Sequence, residues 1–96
     1  MNVLITYDVS TETQAGRRRL RRISKACQDY GQRVQWSIFE CKLDKTNWVV
    51  LRARLLNEMN DKKDSLRFYI LSEDDLGKVE HHGCRKPLDL DAPLIV

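Results

Sequence analysis

Hydrophobic positions follow two different periods along this chain, and each period predicts its own kind of element. Residues 2–8 are mostly β-branched and aromatic, which predicts a buried strand that ends at Asp8. Residues 12–30 and 45–60 carry apolar side chains three and four positions apart, which predicts two helices with one buried face each. Residues 66–71 predict a further buried strand, and Gly31 is expected to end the first helix.

Two segments leave alternatives open. Residues 33–43 have strand character, with Val34, Trp36, Ile38 and Phe39 as the apolar members. They fit one bent strand or two short strands around Ser37. Residues 79–82 suggest a short strand, while His81, His82 and Cys84 also fit a surface turn before Gly83.

The resulting element order is β-α-β(β)-α-β followed by an extended tail. Two helices on one face of a mainly antiparallel sheet make an α+β fold of the ferredoxin-like type, and we expect residues 1–96 to form a single domain. The tail, residues 87–96, ends in the apolar run Leu94–Val96. We expect it to add a C-terminal strand to the sheet of a second subunit in a homodimer.

Composition narrows the class of protein. The chain is 42% hydrophobic and 32% charged, which suits a folded domain better than a disordered one. Its three cysteines are an odd number without framework spacing, which together with the lack of a signal peptide favours the cytoplasm. No apolar run approaches the roughly 20 residues of a membrane span, so no membrane partner is expected.

Charge is concentrated in one part of the chain. Between positions 17 and 33 the only acid is Asp29, and this stretch holds seven of the 17 basic residues: Arg17, Arg18, Arg19, Arg21, Arg22, Lys25 and Arg33. Arginines without acidic neighbours repel one another unless a polyanion neutralises them, and the guanidinium matches phosphate geometry. We therefore predict nucleic-acid backbone binding; an ordinary solvated helix face is the alternative.

Asp8 is the main candidate for chemistry. A carboxylate between a strand end and a helix start suits Mg²⁺, which is often held by only one or two carboxylates plus water and phosphate. Two Asp8 side chains related by a two-fold axis could hold one cation and activate water for phosphodiester hydrolysis. A turn or helix-capping role for Asp8 is the alternative. His81, His82 and Cys84 fall short of a zinc site, which needs about four ligands at defined spacing.

Three stretches together resemble a known family. They are VLITYD (3–8), QRVQWSIFEC (32–41) and DSLRFYIL (64–71), joined by the arginine-rich helix. The chain resembles the small CRISPR-associated endonuclease or endoribonuclease of spacer acquisition, the second Cas protein and the partner of the Cas integrase. Cys41, Trp48 and the run 64–67 resemble the branch that accompanies the I-C kind of CRISPR system.

The resemblance implies a ferredoxin-like homodimer with phosphodiesterase activity on RNA or double-stranded DNA, dependent on Mg²⁺ or another divalent cation such as Mn²⁺. It implies that Asp8 binds the metal, with Ser10 at the mouth of the site. Arg33 and Phe39 match the family's central block, although Arg33 could instead pair with Glu40 or Asp29.

Further alternatives stay open under the resemblance. Phe39 could be plain core. Arg17 and Arg19 are the preferred phosphate contacts within the helix. A non-catalytic scaffold that bridges the Cas integrase and duplex DNA is the alternative function, and a small-ligand regulatory domain is possible on fold grounds alone.

Overall fold

The elements of the protein follow the predicted order. The computed structural model describes residues 1–71 and 78–84. Within them lie the strands and helices β1 (Asn2–Asp8), α1 (Gln14–Tyr30), β2 (Gly31–Gln35), β3 (Ile38–Lys42), α2 (Lys45–Glu58), β4 (Ser65–Ile70) and β5 (Lys78–Gly83). The expected tail, residues 87–96, lies outside the described residues.

The strands form one antiparallel sheet in the order β2-β3-β1-β4-β5. β3 lies between β1 and β2, and β1 lies between β3 and β4, so each helix connects two strands that have another strand between them. This split β-α-β arrangement is the ferredoxin-like α+β fold that the sequence predicted, with β5 added at the β4 edge.

One face of the sheet packs against both helices. The buried residues of β1 are Val3, Ile5 and Tyr7, which alternate with more exposed ones as strand geometry requires. α1 contributes residues such as Ile23 and Cys27, and α2 contributes Leu51 and Leu55. We call the other side, which no helix of the described residues covers, the open face of the sheet. None of the helices in the described ranges is long and apolar enough to cross a bilayer.

The two helices begin at side-chain caps. Thr13 Oγ1 accepts a hydrogen bond from the Gly16 amide at 3.0 Å, and Asp44 Oδ1 accepts one from the Asn47 amide at 2.7 Å. Each cap satisfies an amide that has no partner within its own helix.

The ambiguous segment 33–43 forms two strands with a turn at Trp36 and Ser37. The strand pairing shifts register between Arg33 and Gln35, which leaves Val34 as a bulge. Trp36 therefore lies in the turn and is 90% exposed, so the prediction that it is an apolar strand member was wrong. The turn breaks the alternation that would have placed its side chain over the sheet.

Gly31 ends α1, but not in the left-handed conformation usual for a terminal glycine. Its φ and ψ of −160° and −165° are extended, and it is the first residue of β2. A Cβ at this position would overlap the Glu40 carbonyl oxygen and the Cys41 sulfur. Gly31 is thus needed because the helix end passes close to β3.

A buried ion pair joins the segments at one end of the molecule. Asp64 is fully buried just before β4, and its Oδ2 lies 2.8 Å from Arg19 Nε. Arg19 NH2 also donates to Asp64 Oδ1 at 3.3 Å. The backbone amides of Ser10 and Asn60 donate to the same carboxylate at 3.1 and 2.9 Å. Asp64 therefore ties α1 to the β1–α1 and α2–β4 connections.

The end of β5 joins the same junction. The Cys84 amide donates to the Asp64 carbonyl oxygen at 3.2 Å. Gly83 has a φ of 128°, a conformation that favours glycine, and a Cβ there would overlap that same carbonyl. The close approach fixes the strand end beside Asp64.

We expect Asp64→Ala to destabilise the protein by about 3–5 kcal/mol, because removing one member of a buried pair leaves the other charge uncompensated. Denaturant unfolding of wild type and variant measures the difference. Asp61→Ala, in the exposed turn nearby, is the matched control and should change stability by less than about 0.5 kcal/mol.

The effect of Asp64→Ala depends on pH. Burial alone would raise the pKa of Asp64, but hydrogen bonds from Arg19, Asn60 and Ser10 outweigh it and hold the pKa below its ordinary 3.8. The contribution of Asp64 is therefore present above that ordinary value and is lost as pH falls below it. A destabilisation that stays constant down to strongly acidic pH would contradict this origin.

Candidate functional site

Asp8 lies at the end of β1, is exposed, and points to the open face of the sheet. The burial pattern of β1 shows this, since Val3, Ile5 and Tyr7 face the helices and the even-numbered residues do not. Asp8 also lines an open depression of about 480 Å³ with Ser10, Glu12, Lys63 and Cys84. The carboxylate that the sequence singled out is thus accessible to a ligand.

The loop after Asp8 is attached to the protein interior. Val9 is buried, and the Ser10 amide donates to the buried Asp64 carboxylate. Ser10 lines the same depression as Asp8, and its backbone anchors the loop. This anchoring fixes the direction in which Asp8 leaves the sheet.

The residues around Asp8 suit a weakly held hard cation. Among residues 1–71 and 78–84, no group of three or more His, Cys, Asp or Glu side chains is placed to hold a metal ion. Asp8 and Glu12 nevertheless bring carboxylates to one depression. Mg²⁺ needs only one or two carboxylates when water and substrate phosphate complete its shell, so the donor set fits Mg²⁺ bound together with a phosphate or with a second subunit.

A basic face covers the outer side of α1. Its members are all exposed: Arg17, Arg18, Arg21, Arg22 and Lys25. Some are tethered at the surface, since Arg17 NH1 donates to the Thr11 carbonyl at 3.1 Å and Lys25 Nζ lies 2.9 Å from Asp29. Arg22 lies 3.7 Å from Glu58. Exposed pairs of this kind are weak, so a polyanion can compete for these cations.

Arg19 does not belong to the basic face. Its side chain is only 17% exposed and is directed to Asp64. The prediction that Arg19 contacts phosphate is corrected accordingly: its position on α1 turns it toward the junction below the helix, where it is needed to neutralise a buried carboxylate.

Arg33 and Phe39 lie together on the helix-covered side of the sheet. The Arg33 guanidinium lies 4.8 Å from the centre of the Phe39 ring, and it donates to the Trp36 carbonyl and to Ser24 Oγ. It pairs with neither Glu40 nor Asp29; Asp29 instead accepts from Arg54 at 2.9 Å. Arg33 itself stays exposed and available to a ligand.

Phe39 is fully buried and belongs to the hydrophobic core, where its ring stacks with Tyr7 at 6.2 Å between centroids. It cannot line an open site, and that prediction is corrected in favour of the core alternative. It is buried because it faces the helices at the centre of the sheet.

The structure brings two other side chains close to Asp8 that sequence reasoning did not select. Arg67 on β4 and His81 on β5 share a cavity of about 100 Å³ with Asp8. β5 is a strand, so the surface-turn interpretation of residues 81–84 was wrong for His81 and His82. The two histidines point to opposite faces, and His82 Nε2 lies 2.5 Å from Glu80 Oε2. Only strand alternation combined with the correct pairing could have identified His81.

Comparison with known proteins shows the family to which the chain belongs. The family model described as CRISPR associated protein Cas2 matches residues 1–79. The chain belongs to the Cas2 family. A relative from Chlorobaculum tepidum, named CRISPR-associated endoribonuclease Cas2, is 62% identical over 96 residues and covers all of both chains.

Other Cas2 relatives support the same assignment. One from Halalkalibacterium halodurans, named CRISPR-associated endonuclease Cas2, is 50% identical over 95 residues, 99% of each chain. The crystal structure of Streptococcus pyogenes Cas2 at pH 6.5 is 53% identical with a TM-score of 0.70, covering 77% of this chain and 89% of that one. Likeness to the I-C branch stays a prediction.

The cysteines of this Cas2-family chain should differ sharply in reactivity. Burial raises the pKa of the Cys27 thiol to about 12 and that of Cys41 to about 11, whereas Cys84 is exposed beside Asp8. Because the thiolate is the reactive form, a thiol reagent at mildly alkaline pH should modify Cys84 rapidly and leave Cys27 and Cys41 intact in the folded protein. Peptide mass analysis identifies the modified residues.

Denatured protein is the control for this experiment, since all three thiols should then react. Fast modification of Cys27 or Cys41 in the native protein would contradict their burial in the core.

Proposed function

We propose that this chain is a CRISPR spacer-acquisition protein of antiviral defence that binds a nucleic-acid backbone and hydrolyses phosphodiester bonds with a divalent cation. The observation that carries the proposal is the accessible Asp8 carboxylate at the end of β1 in a chain of the Cas2 family. The names of the relatives, endoribonuclease and endonuclease, support this chemistry.

The proposed working unit is a homodimer. One chain offers Asp8 at the rim of the open face, and a second copy on that face would supply a second carboxylate. Partly buried apolar and aromatic side chains on this face, including Leu4, Ile38 and Tyr69, suit contact with another subunit. Two carboxylates brought together repel each other unless a cation lies between them.

Asp8 has a defined part in the proposed reaction. Bound Mg²⁺ or Mn²⁺ would polarise the scissile phosphate and lower the pKa of an attacking water. Asp8 would hold that cation, and the loop anchored through Ser10 would keep the carboxylate in a fixed position. The cation also offsets the repulsion between Asp8 and an anionic backbone.

The basic face would have a different role from Asp8, namely substrate binding. Arg17, Arg18, Arg21, Arg22 and Lys25 would bind backbone phosphates along α1, and Arg33 would extend this surface toward the hairpin turn. Arg19 is excluded because Asp64 occupies its guanidinium. Such a surface binds by charge and spacing, which suits double-stranded DNA and single-stranded RNA alike.

A scaffold role is the second candidate. The basic face lies in the helix layer while Asp8 lies on the open face, so the protein could hold duplex DNA and contact a Cas integrase without cutting. The two functions are distinguished by whether cleavage and binding can be separated.

We expect Asp8→Asn to reduce cleavage to background while leaving nucleic-acid binding within about twofold, because the amide removes the charge that holds the cation but leaves the basic face intact. Cleavage of labelled RNA and double-stranded DNA should be measured with Mg²⁺, with Mn²⁺ and with a chelator. Binding is measured by fluorescence anisotropy on the same substrates.

Asp61→Asn is the matched control, since this exposed aspartate lies in the α2–β4 turn. It should cleave as wild type does. Equal cleavage by wild type and Asp8→Asn would refute a role for Asp8, and absence of cleavage by wild type on both substrates would leave the scaffold function.

We expect the double variant Arg18→Ala and Arg21→Ala to flatten the salt dependence of duplex binding. Each phosphate contact contributes about 0.9 to the slope of log affinity against log salt, so losing two contacts per subunit should lower the slope by roughly 2 for each subunit that contacts the duplex. Lys45→Ala, an exposed cation at the start of α2, is the control and should leave the slope unchanged. An unchanged slope in the double variant would exclude these arginines from the interface.

A further inference from the structure

Strand pairing places Arg67 and His81 next to Asp8 on the open face. Thr6 of β1 pairs with Arg67 of β4, which pairs in turn with His81 of β5. Asp8 lies two residues beyond Thr6, on the same side of the sheet. Diagonal neighbours across strands lie within reach of long side chains, so Arg67 and Asp8 approach one small region from two strands.

The residues that lie across the sheet from Asp8, on β4 and β5, have a small side chain or none. Asp8 pairs with Ser65, and Ser65 pairs with Gly83. A small hydroxyl and a glycine leave the cavity of about 100 Å³ into which Asp8, Arg67 and His81 all extend. The side chains of Asp8, Arg67 and His81 therefore line the same cavity.

Arg67 and His81 have unused hydrogen-bonding capacity at this cavity. Among the residues that the structure describes, Arg67 Nε and both ring nitrogens of His81 are buried yet have no hydrogen-bond partner. Buried polar atoms in native proteins are nearly always bonded, so such a group indicates a missing partner. Arg67 Nε is a donor, and at least one ring nitrogen of His81 carries a proton in either charge state, so the cavity offers at least two donors to a ligand with acceptor oxygens.

The orientation of Arg67 is fixed before any ligand arrives. Its guanidinium carbon lies 5.2 Å from the centre of the Tyr69 ring, on the same strand and the same face. An arginine held over an aromatic ring loses little further freedom when it binds an anion. Arg67 is therefore preorganised to bind an anion.

We propose that Arg67 and His81 bind the non-bridging oxygens of the phosphodiester that is positioned at Asp8. The proposal deepens the proposed nuclease function and rests on it for the identity of the substrate. Asp8 alone repels a phosphate, and the basic face of α1 lies in the other layer of the protein. Arg67 and His81 supply nitrogen donors at the cavity that Asp8 borders.

A second copy of the chain is the competing occupant of this region, since the proposed homodimer uses the same face. A subunit contact would satisfy the nitrogens of Arg67 and His81 without any phosphate. The experiments must therefore measure oligomeric state alongside substrate contact.

The kinetic test compares His81→Asn and Arg67→Met with wild type. We expect kcat for cleavage to fall about 100-fold, as when one preorganised donor to a reacting group is removed, while duplex affinity changes less than twofold because the basic face is intact. His82→Asn is the matched control on the same strand, since His82 faces the helices and lies beside Glu80. Arg54→Met, whose guanidinium contacts Asp29, is the control for Arg67.

A second measurement does not depend on cleavage. Imidazole ¹⁵N signals of the wild-type protein are followed during titration with a short oligothymidylate, with His81 assigned through His81→Asn. We expect the His81 signals to shift and the His82 signals to stay in place. Sedimentation of each variant at the assay concentration shows whether the oligomeric state is preserved.

The outcomes separate this proposal from the proposed function. Loss of cleavage in both variants with unchanged sedimentation supports it. Wild-type cleavage in both variants overturns it while the Asp8 result still stands, and dissociation of an oligomer by either variant overturns it in favour of a subunit contact. If the wild type cuts no substrate, the nuclease function fails, and a His81 shift supports phosphate binding whereas its absence overturns it.

Discussion

The ion pair between Asp64 and Arg19 is the interaction on which the candidate site depends. Three segments meet at this one buried carboxylate: α1 through Arg19, the β1–α1 loop through Ser10 and the α2–β4 turn through Asn60. The end of β5 joins the same residue through the Cys84 amide, which donates to the Asp64 backbone carbonyl. A buried charge is costly unless it is paired and fully hydrogen-bonded, and here each bond also fixes a segment. The loop that follows Asp8 is anchored by this requirement.

The basic residues of α1 and the Asp8 carboxylate lie on opposite sides of the sheet. The basic face lies on α1, in the helix layer, whereas Asp8 projects from the open face. Under the proposed function, a nucleic acid that passes the end of β1 would contact both surfaces. Binding energy from the distant basic surface would then add to the contacts that the reacting phosphate makes at the open face. This division explains why cleavage and binding should respond to different substitutions.

Under the proposed function, the groups placed around Asp8 would recognise a nucleic-acid backbone and would carry little information about bases. Carboxylate, guanidinium and imidazole groups all address a phosphate and its cation, which DNA and RNA share. Cas2 relatives that are named as endoribonuclease and as endonuclease are compatible with one such site. Substrate preference would then follow from the shape of the duplex or single strand that the basic face and Arg33 accept.

Local patterns were enough to predict the elements, the position of Asp8 at the end of the first strand and most of the basic face. Alternation within a strand and the three-and-four spacing of a helix depend only on near neighbours in sequence. The roles of Arg19, Phe39, Trp36, Arg67 and His81 could not be predicted in this way. Arg19 is neutralised by a residue 45 positions away, Trp36 is exposed because a turn interrupts its strand, and His81 reaches Asp8 only through two strand pairings. Such contacts arise from strand order and register, which form when distant segments pack together and which no local period encodes.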